Sequence, residues 1–326
     1  MAEMKLGSSW PSTGKALFTQ SGALVALALL LVFNAVFTRD FVTLQTFNVN
    51  LSQVAQIVVV AMGMALVVAT GGIDLSVGAT AAFAGTMAAV LLTQTGGVLA
   101  NPAIALAAAL TLPLLGAALF GAVNGGLITR YGVQPIVATL VLFITGRGLA
   151  EMLTESNLRT FSGGSLGWLR ANLLGVPVQG LLMLALVAVM AWVMRHSLFS
   201  RWVLAVGGNE RAARLAGVPV QRVKMTVYIV SAIFAGVAGI MNVAVISAAD
   251  PAKIGQNIEL DAIAAVAVGG TLLSGGRVRI VGTLIGALVI QLLQYSLLAH
   301  GIADEYALIV KAGIILLAVY AQRREH

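Results

Sequence analysis

Residues 51–70 read LSQVAQIVVVAMGMALVVAT, twenty positions without one charged side chain. At 1.5 Å of helical rise per residue the run is about 30 Å long, the thickness of a bilayer's hydrocarbon core. The stretch is read as a membrane-spanning helix, and lipid as the solvent around it.

Comparable apolar runs lie on both sides, at about 16–37, 76–95, 102–128, 133–153, 177–195, 225–247, 260–273, 280–299 and 305–321. Together they predict an all-α, polytopic membrane protein of about ten transmembrane helices. The 260–273 run is too short to span, so one or two segments are expected to be broken or re-entrant. Pro102, Pro135, Pro177 and Pro251 fall in loops or at run starts, where a missing N–H costs least. The whole chain, 1–326, reads as a single transmembrane domain. Its cytoplasmic parts are an N-terminal tail (1–15), one large loop (196–224) and a C-terminal tail (321–326).

Composition agrees. Of 326 residues, 59% are hydrophobic and 10% charged, against roughly 25% charged in soluble domains. Too little polar surface remains to cover a soluble enzyme. The 36 glycines show no triplet period, which excludes collagen, and the apolar excess excludes a disordered chain. With no cysteine there is no disulfide, thiolate metal site or cysteine nucleophile. His196, His300 and His326 are too scattered for a metal cluster. The mixed, polar start at 1–20 does not read as a cleavable signal peptide.

Orientation follows from the basic residues. Arg147 and Lys311 lie inside predicted helices, leaving 17 of the 19 Lys and Arg in loops. With the N-terminus inside, 13 of these are cytoplasmic, and only Arg39, Arg159, Arg170 and Lys253 are on the other face. The positive-inside rule is met with both termini cytoplasmic. The net charge of +7 therefore reports topology, not a nucleic-acid partner.

Small residues recur at helix-packing spacing in the pairs Gly121 and Gly125, Gly282 and Gly286, and Ala81 and Gly85. Such faces let helix backbones approach closely in lipid. A weak internal echo links 69–78 (ATGGIDLSVG) to 268–276 (VGGTLLSGG), each between two apolar runs. It reads either as a parallel repeat marking a pathway or as shared composition.

The 196–224 loop carries the most chemistry outside the membrane. Asn209 is a natural N-cap, and Glu210 sits in the first turn, where negative charge suits the helix dipole. Ala212, Ala213, Leu215 and Ala216 make a short compact helix that Gly217 and Pro219 end. Arg211 and Arg214 lie on another side. The helix is either a plug for a partner's groove or a basic loop lying on anionic membrane lipid.

Polar groups at membrane depth form the second set of candidates. Arg147 and Glu151, four apart, are expected to pair on one helix face, either lining the pathway or bracing the helix end. Lys311 faces the same choice, with a stem long enough to snorkel. Asp74, just before Ser76, is a candidate cap for the third helix or a gating group. Glu259 and Asp261 open the 260–273 run, to cap it, to meet basic residues of an outer partner, or both. Candidate path-lining residues are Asn48, Asn50, Gln53, Gln56, Asn124, Thr139, Asn242, Gln291 and Gln294, each of which could equally bridge two helices.

Three blocks carry a family resemblance. They are 207–218 (GGNERAARLAGV), 71–78 (GGIDLSVG) and 259–276 (ELDAIAAVAVGGTLLSGG), the last continuing through 280–287 (IVGTLIGA). In this order, over about residues 50–320, the chain resembles ABC importer permeases of the ribose, xylose and galactofuranose class. Galactofuranose-type permeases look nearest over the Gly71 block and the C-terminal third, and ribose-type ones share much of the last block. The resemblance implies a non-enzymatic translocation subunit. Its partners would be a cytoplasmic ABC ATPase subunit, a periplasmic sugar-binding protein and a second permease subunit, identical or not. The implied coupling loop for the ATPase is Gly207, Gly208, Asn209, Glu210, Ala212, Ala213, Arg214, Ala216 and Gly217. No cofactor is expected in this chain. A Walker A motif needs G-x-x-x-x-G-K-[ST], and Gly14-Lys15 has Ser9 and Ala16 where the first glycine and the hydroxyl belong. ATP and Mg would thus be bound by the ATPase. The scarcity of aromatics, 6%, fits a transient sugar site with selectivity delegated to the binding protein.

The competing reading is a secondary transporter of a small polar solute driven by an ion gradient, with Asp74 or Glu151 as its cycling carboxylate. A membrane scaffold or enzyme ranks last, because no nucleophile–base pair is present. A two-carboxylate glycosidase is a poor fit, since no soluble cleft is expected around Glu259 and Asp261.

Overall fold

The computed structural model describes residues 13–93, 97–161 and 165–323. Most of the expected N-terminal tail (1–12) and the end of the C-terminal one (324–326) lie outside the described residues. The described residues are mostly helical. The helices are α1 (Thr13–Phe37), α2 (Leu44–Ala69), α3 (Val77–Thr93), α4 (Pro102–Arg130), α5 (Pro135–Thr154), α6 (Gly167–Arg170), α7 (Val178–His196), α8 (Leu198–Gly208), α9 (Glu210–Leu215), α10 (Val220–Ile246), α11 (Ile258–Val268), α12 (Ile280–Ala299) and α13 (Asp304–Arg323). Four two-residue strands pair as β1 (Arg159–Thr160) with β4 (Ala248–Ala249), and β2 (Asn172–Leu173) with β3 (Val176–Pro177).

Each of the ten apolar runs forms a helix. Among the described residues, α2, α4, α5, α7, α10 and α12 are long and apolar enough to cross a membrane on their own. The short helices are informative. With 11 residues, α11 is only about 17 Å long, and the 17 residues of α3 make about 26 Å. Both begin at buried residues inside the protein, after irregular stretches at 70–76 and 250–257. The first turn of α3 meets the approach to α11: a Cβ on Gly78 would run into the Glu259 carboxylate and stand 2.6 Å from the carbonyl oxygen of Gly255. The sequence predicts a break at 260–273. The structure places breaks ahead of both half-length helices.

Loop contacts sort the helix ends into two sets. At one end, the N–H of Gly276 donates to the carbonyl of Ala69 at 2.9 Å, and Gly207 packs against both. At the other end, β1 pairs with β4, and Arg170 donates to Ser247 Oγ at 2.9 Å. The first set includes the basic-rich segments, so the contacts and the charge count give the same partition.

At the centre stands α2. Its residues from Val54 to Ala69 are buried except half-buried Gln56, because the run VVVAMGMALVVA is apolar all round and is enclosed by α7, α10, α11 and α12. Close approach relies on missing side chains. A Cβ on Gly63 would lie 2.8 Å from Ser231 Cα, and one on Gly85 would lie 2.7 Å from the Gly239 carbonyl. Gly121 fits against the backbone of Tyr228 and Ile229, and Gly286 against Ala265. The small-residue spacings seen in the sequence are therefore helix contacts. By contrast, α4, α5 and α7 bury only a minor share of their spans, as helices facing lipid do.

Candidate functional site

Near the end bearing β1 and β4, a cavity of about 490 Å³ opens between α2, α10, α11 and α12. Helical geometry builds its walls. Gln53 and Gln56 are three apart on α2, and Gln291 and Gln294 three apart on α12, so each pair shares a face. Gln56 Oε1 accepts from Asn242 Nδ2 at 2.9 Å, and Gln53 Oε1 accepts from Gln291 Nε2 at 2.7 Å. Lys253, Gln256 and Tyr295 join the lining, and none of these three is marked by the sequence reading. Lys253 and Gln256 join through the fold-back of the 250–257 stretch, which no local spacing encodes, whereas Tyr295 shares the α12 face of Gln291 four residues before it.

Five of the nine candidate lining residues are thus brought together: Gln53, Gln56, Asn242, Gln291 and Gln294. The other four lie elsewhere. Asn50 lines a separate apolar groove of about 480 Å³ with Leu31, Phe41 and Leu292, and donates to the Thr46 carbonyl at 3.0 Å. Asn48 is half-buried one turn into α2, with no partner for Oδ1 among the described residues. Thr139 bonds back to the Pro135 carbonyl at 2.9 Å within its own helix. Asn124 is fully buried and donates to Ser76 Oγ at 2.8 Å.

That last bond belongs to a polar knot around Asp74, which is fully buried at the start of α3. Asp74 Oδ1 accepts from the backbone N–H of Ser76 at 3.0 Å and from Ser76 Oγ at 2.6 Å, while Oδ2 accepts from Ser231 Oγ at 3.1 Å. The carboxylate holds the N–H and hydroxyl of Ser76, the residue just before α3, and so fixes the turn that leads into a helix whose start is buried.

The ionisable residues require three corrections. Arg147 and Glu151 do not form an ion pair; Arg147 Nη1 instead donates to the carbonyls of Pro251 at 2.8 Å and Ile254 at 2.7 Å. The fold brings those carbonyls, unpaired by any helix, within reach of the guanidinium. Lys311 does not snorkel, because α11 presents a carboxylate beside it: its Nζ stands 2.6 Å from Asp261 Oδ1 and donates to Gln294 Oε1 at 2.9 Å. Glu259 and Asp261 do not face an outer partner, because α11 starts within the protein and both carboxylates are buried. No group of three or more His, Cys, Asp or Glu that could hold a metal ion occurs among the described residues.

At the other end, α8 and α9 form the projecting loop. Asn209 Oδ1 accepts from the Ala212 N–H at 3.0 Å, starting α9, and Gly217 ends it at a φ of +80°, a left-handed conformation that a side chain disfavours. Glu210 bridges Arg214 at 3.1 Å and Lys224 at 2.5 Å, fixing α9 to the foot of α10. Leu215 stays 91% exposed at the tip beside Arg211. Gly207 is seated on α2, whereas Gly208 next to it has open space.

A family model described as "Branched-chain amino acid transport system / permease component" matches residues 47–319. The chain belongs to this permease family. It is 40% identical over 317 residues to the ribose import permease protein of Escherichia coli (strain K12), covering 95% of this chain and 96% of that protein. The ribose import permease protein of Bacillus subtilis (strain 168) is 39% identical, with 93% and 92% covered. The galactofuranose transporter permease protein of Escherichia coli (strain K12) is 37% identical, with 92% and 88% covered. No solved structure matches the chain. The resemblance to this class is thus spread over nearly the whole chain. The lean towards galactofuranose does not carry through, since ribose permeases match at least as well. The chain is a multi-pass membrane permease.

Proposed function

We propose that this chain is the translocation subunit of an ATP-driven importer in the bacterial inner membrane, and that its cargo is an uncharged monosaccharide such as ribose or galactofuranose. The observation that carries the substrate class is the amide lining of the cavity. Gln53, Gln56, Asn242, Gln256, Gln291 and Gln294 each carry an acceptor oxygen and two N–H donors, of which some are used between Gln53 and Gln291, Gln56 and Asn242, and Gln294 and Lys311. A sugar hydroxyl also donates and accepts, so it can bond the capacity that remains.

The family description names branched-chain amino acids. A zwitterion would need two unpaired, opposite charges on the wall, since a buried charge without a partner costs several kcal/mol. The deep charges here, Asp261 and Lys311, neutralise each other at 2.6 Å. Lys253 lies at the mouth, 81% exposed beside Asp250. The lining therefore favours a neutral polar cargo, in line with the sugar names of the relatives.

Energy would enter at the opposite end. The α9 tip, with exposed Leu215, Arg211 and Arg214, is the docking element for a separate cytoplasmic ATPase that binds ATP and Mg. Gly207 to Gly217 form the coupling segment. A periplasmic binding protein delivers the sugar to the cavity mouth, and a second permease subunit completes the assembly. The whole chain acts as one transmembrane unit.

Reconstitution tests this reading. Proteoliposomes holding the permease, its ATPase and the sugar-loaded binding protein should accumulate labelled sugar only with internal ATP. Uptake driven by a proton or sodium gradient without the ATPase would overturn it.

A further inference from the structure

The 490 Å³ cavity has a neighbour. A second polar chamber of about 330 Å³ lies between α11, α12 and α13, with Asn257, Glu305 and Leu308 in its wall. Gln256, Asp261 and Gln294 line both chambers. Of these three shared side chains, Asp261 is the charged acceptor. We propose that Asp261 is a substrate-contact residue that accepts a hydrogen bond from a ring hydroxyl of the cargo, with Lys311 as its positioning residue. This rests on the sugar reading above.

The geometry gives Asp261 three of the properties such a contact needs. It stands in the first turn of α11, whose start is held inside the protein by Arg147 on the Pro251 and Ile254 carbonyls. The N-terminal end of a helix stabilises a negative charge there. Its side chain is 10% exposed and that of Lys311 6%, so the pair is fixed between chambers without being sealed from them. Lys311 Nζ stands 2.6 Å from Oδ1 and fixes the carboxylate where it lines both chambers.

Stability does not explain the pair. A buried ion pair is often no better than a well-packed apolar one, because desolvation offsets the attraction. A carboxylate held in place by a lysine is, however, a strong oriented acceptor, and hydrogen bonds to charged groups exceed those to amides. The amides hold the sugar without preference among its hydroxyls. The carboxylate reads one of them.

The test uses the complete importer in proteoliposomes, with binding protein saturated in turn by radiolabelled D-ribose, 2-deoxy-D-ribose, D-galactose and 2-deoxy-D-galactose. Initial rates are compared for wild type, Asp261→Asn, Lys311→Arg and the double variant Asp261→Asn/Lys311→Met, which leaves no unpaired charge. A hydrogen bond to a charged acceptor corresponds to about tenfold or more in rate. Wild type should therefore favour the parent over one deoxy sugar by about that factor. The double variant should slow the parent by a similar factor and bring parent and deoxy sugar level. Lys311→Arg should keep the preference. If the double variant keeps the wild-type preference, or slows every sugar by one common factor, the pair is only a brace and the proposal fails. Should the double variant not insert, Asp261→Asn alone decides, because it keeps the side chain's shape and must still lose the preference. Wild type that carries none of these sugars with ATP would instead overturn the sugar reading itself.

Discussion

Gly276 donates its backbone N–H to the carbonyl oxygen of Ala69 at 2.9 Å, tying the loop after α11 to the end of α2. Gly207, at the end of α8, lies against both residues, and a Cβ on Gly275 would stand 2.9 Å from the Gly207 carbonyl and from the Gly71 N–H. Three backbones meet here without side chains between them. Two are the segments whose sequences echo one another, and the third leads into α9. On the proposed coupling role, a push on α9 would meet α2, the 70–76 stretch and the loop after α11 through these backbone contacts.

Adjacent glycines should respond in opposite ways. Gly207→Ala places a methyl group in the Ala69 carbonyl and should destabilise the protein by about 1–3 kcal/mol, as overpacking does. It should also lower sugar-stimulated ATP hydrolysis. Gly208→Ala meets open space and should leave both unchanged. Thermal unfolding in detergent and ATPase assays of the complex check this.

The knot at Asp74 should show the pattern of a buried acceptor. Asp74→Ala strands the Ser76 N–H and the hydroxyls of Ser76 and Ser231, at about 1–3 kcal/mol for a stranded buried group. Asp74→Asn keeps one acceptor oxygen and should cost less than half as much. The ranking can be read from melting temperatures of the two variants in the same detergent.

Arg147 should hold the segment before α11. Arg147→Met removes both bonds to the Pro251 and Ile254 carbonyls, and charge-assisted bonds contribute about 1.5–3 kcal/mol each. Faster amide exchange at 250–257, with α4 and α5 unchanged, is the expected signature. Glu151→Gln should have no such effect, since no ion pair joins it to Arg147.

At the coupling end, Glu210→Ala releases α9 from Lys224 on α10 and removes the pair with Arg214 inside α9, and Gly217→Pro removes the N–H that reaches the Arg214 carbonyl at 3.1 Å. Both variants should insert normally, bind substrate-loaded binding protein, and lose sugar-stimulated ATP hydrolysis. Unchanged stimulation would refute the coupling assignment.

Features set by neighbouring residues were legible in the sequence. The run 51–70 marks α2, the Asn209 cap and Gly217 bound α9, and the i,i+3 glutamines share faces, because each depends on a few ångströms of local chain. Features set across the fold were not. Lys311 meets Asp261 from a helix 50 residues away, and Arg147 prefers carbonyls of a distant loop to the carboxylate four residues on. The depth at which α3 and α11 begin was hidden too, because it follows from glycine contacts such as Gly78 with Gly255. Burial then decides which amides face a cavity and which, like Asn124, join two helices.

The central claim is that sugar passes through the amide-lined cavity. The chain has no cysteine, so a single Asn242→Cys variant can be labelled on a clean background. A membrane-impermeant thiol reagent applied from the binding-protein side should modify the introduced thiol and abolish ATP-dependent uptake. Lipid-facing Leu184→Cys on α7 should transport normally after the same treatment. Full uptake through an Asn242→Cys permease that is stoichiometrically labelled would contradict the account.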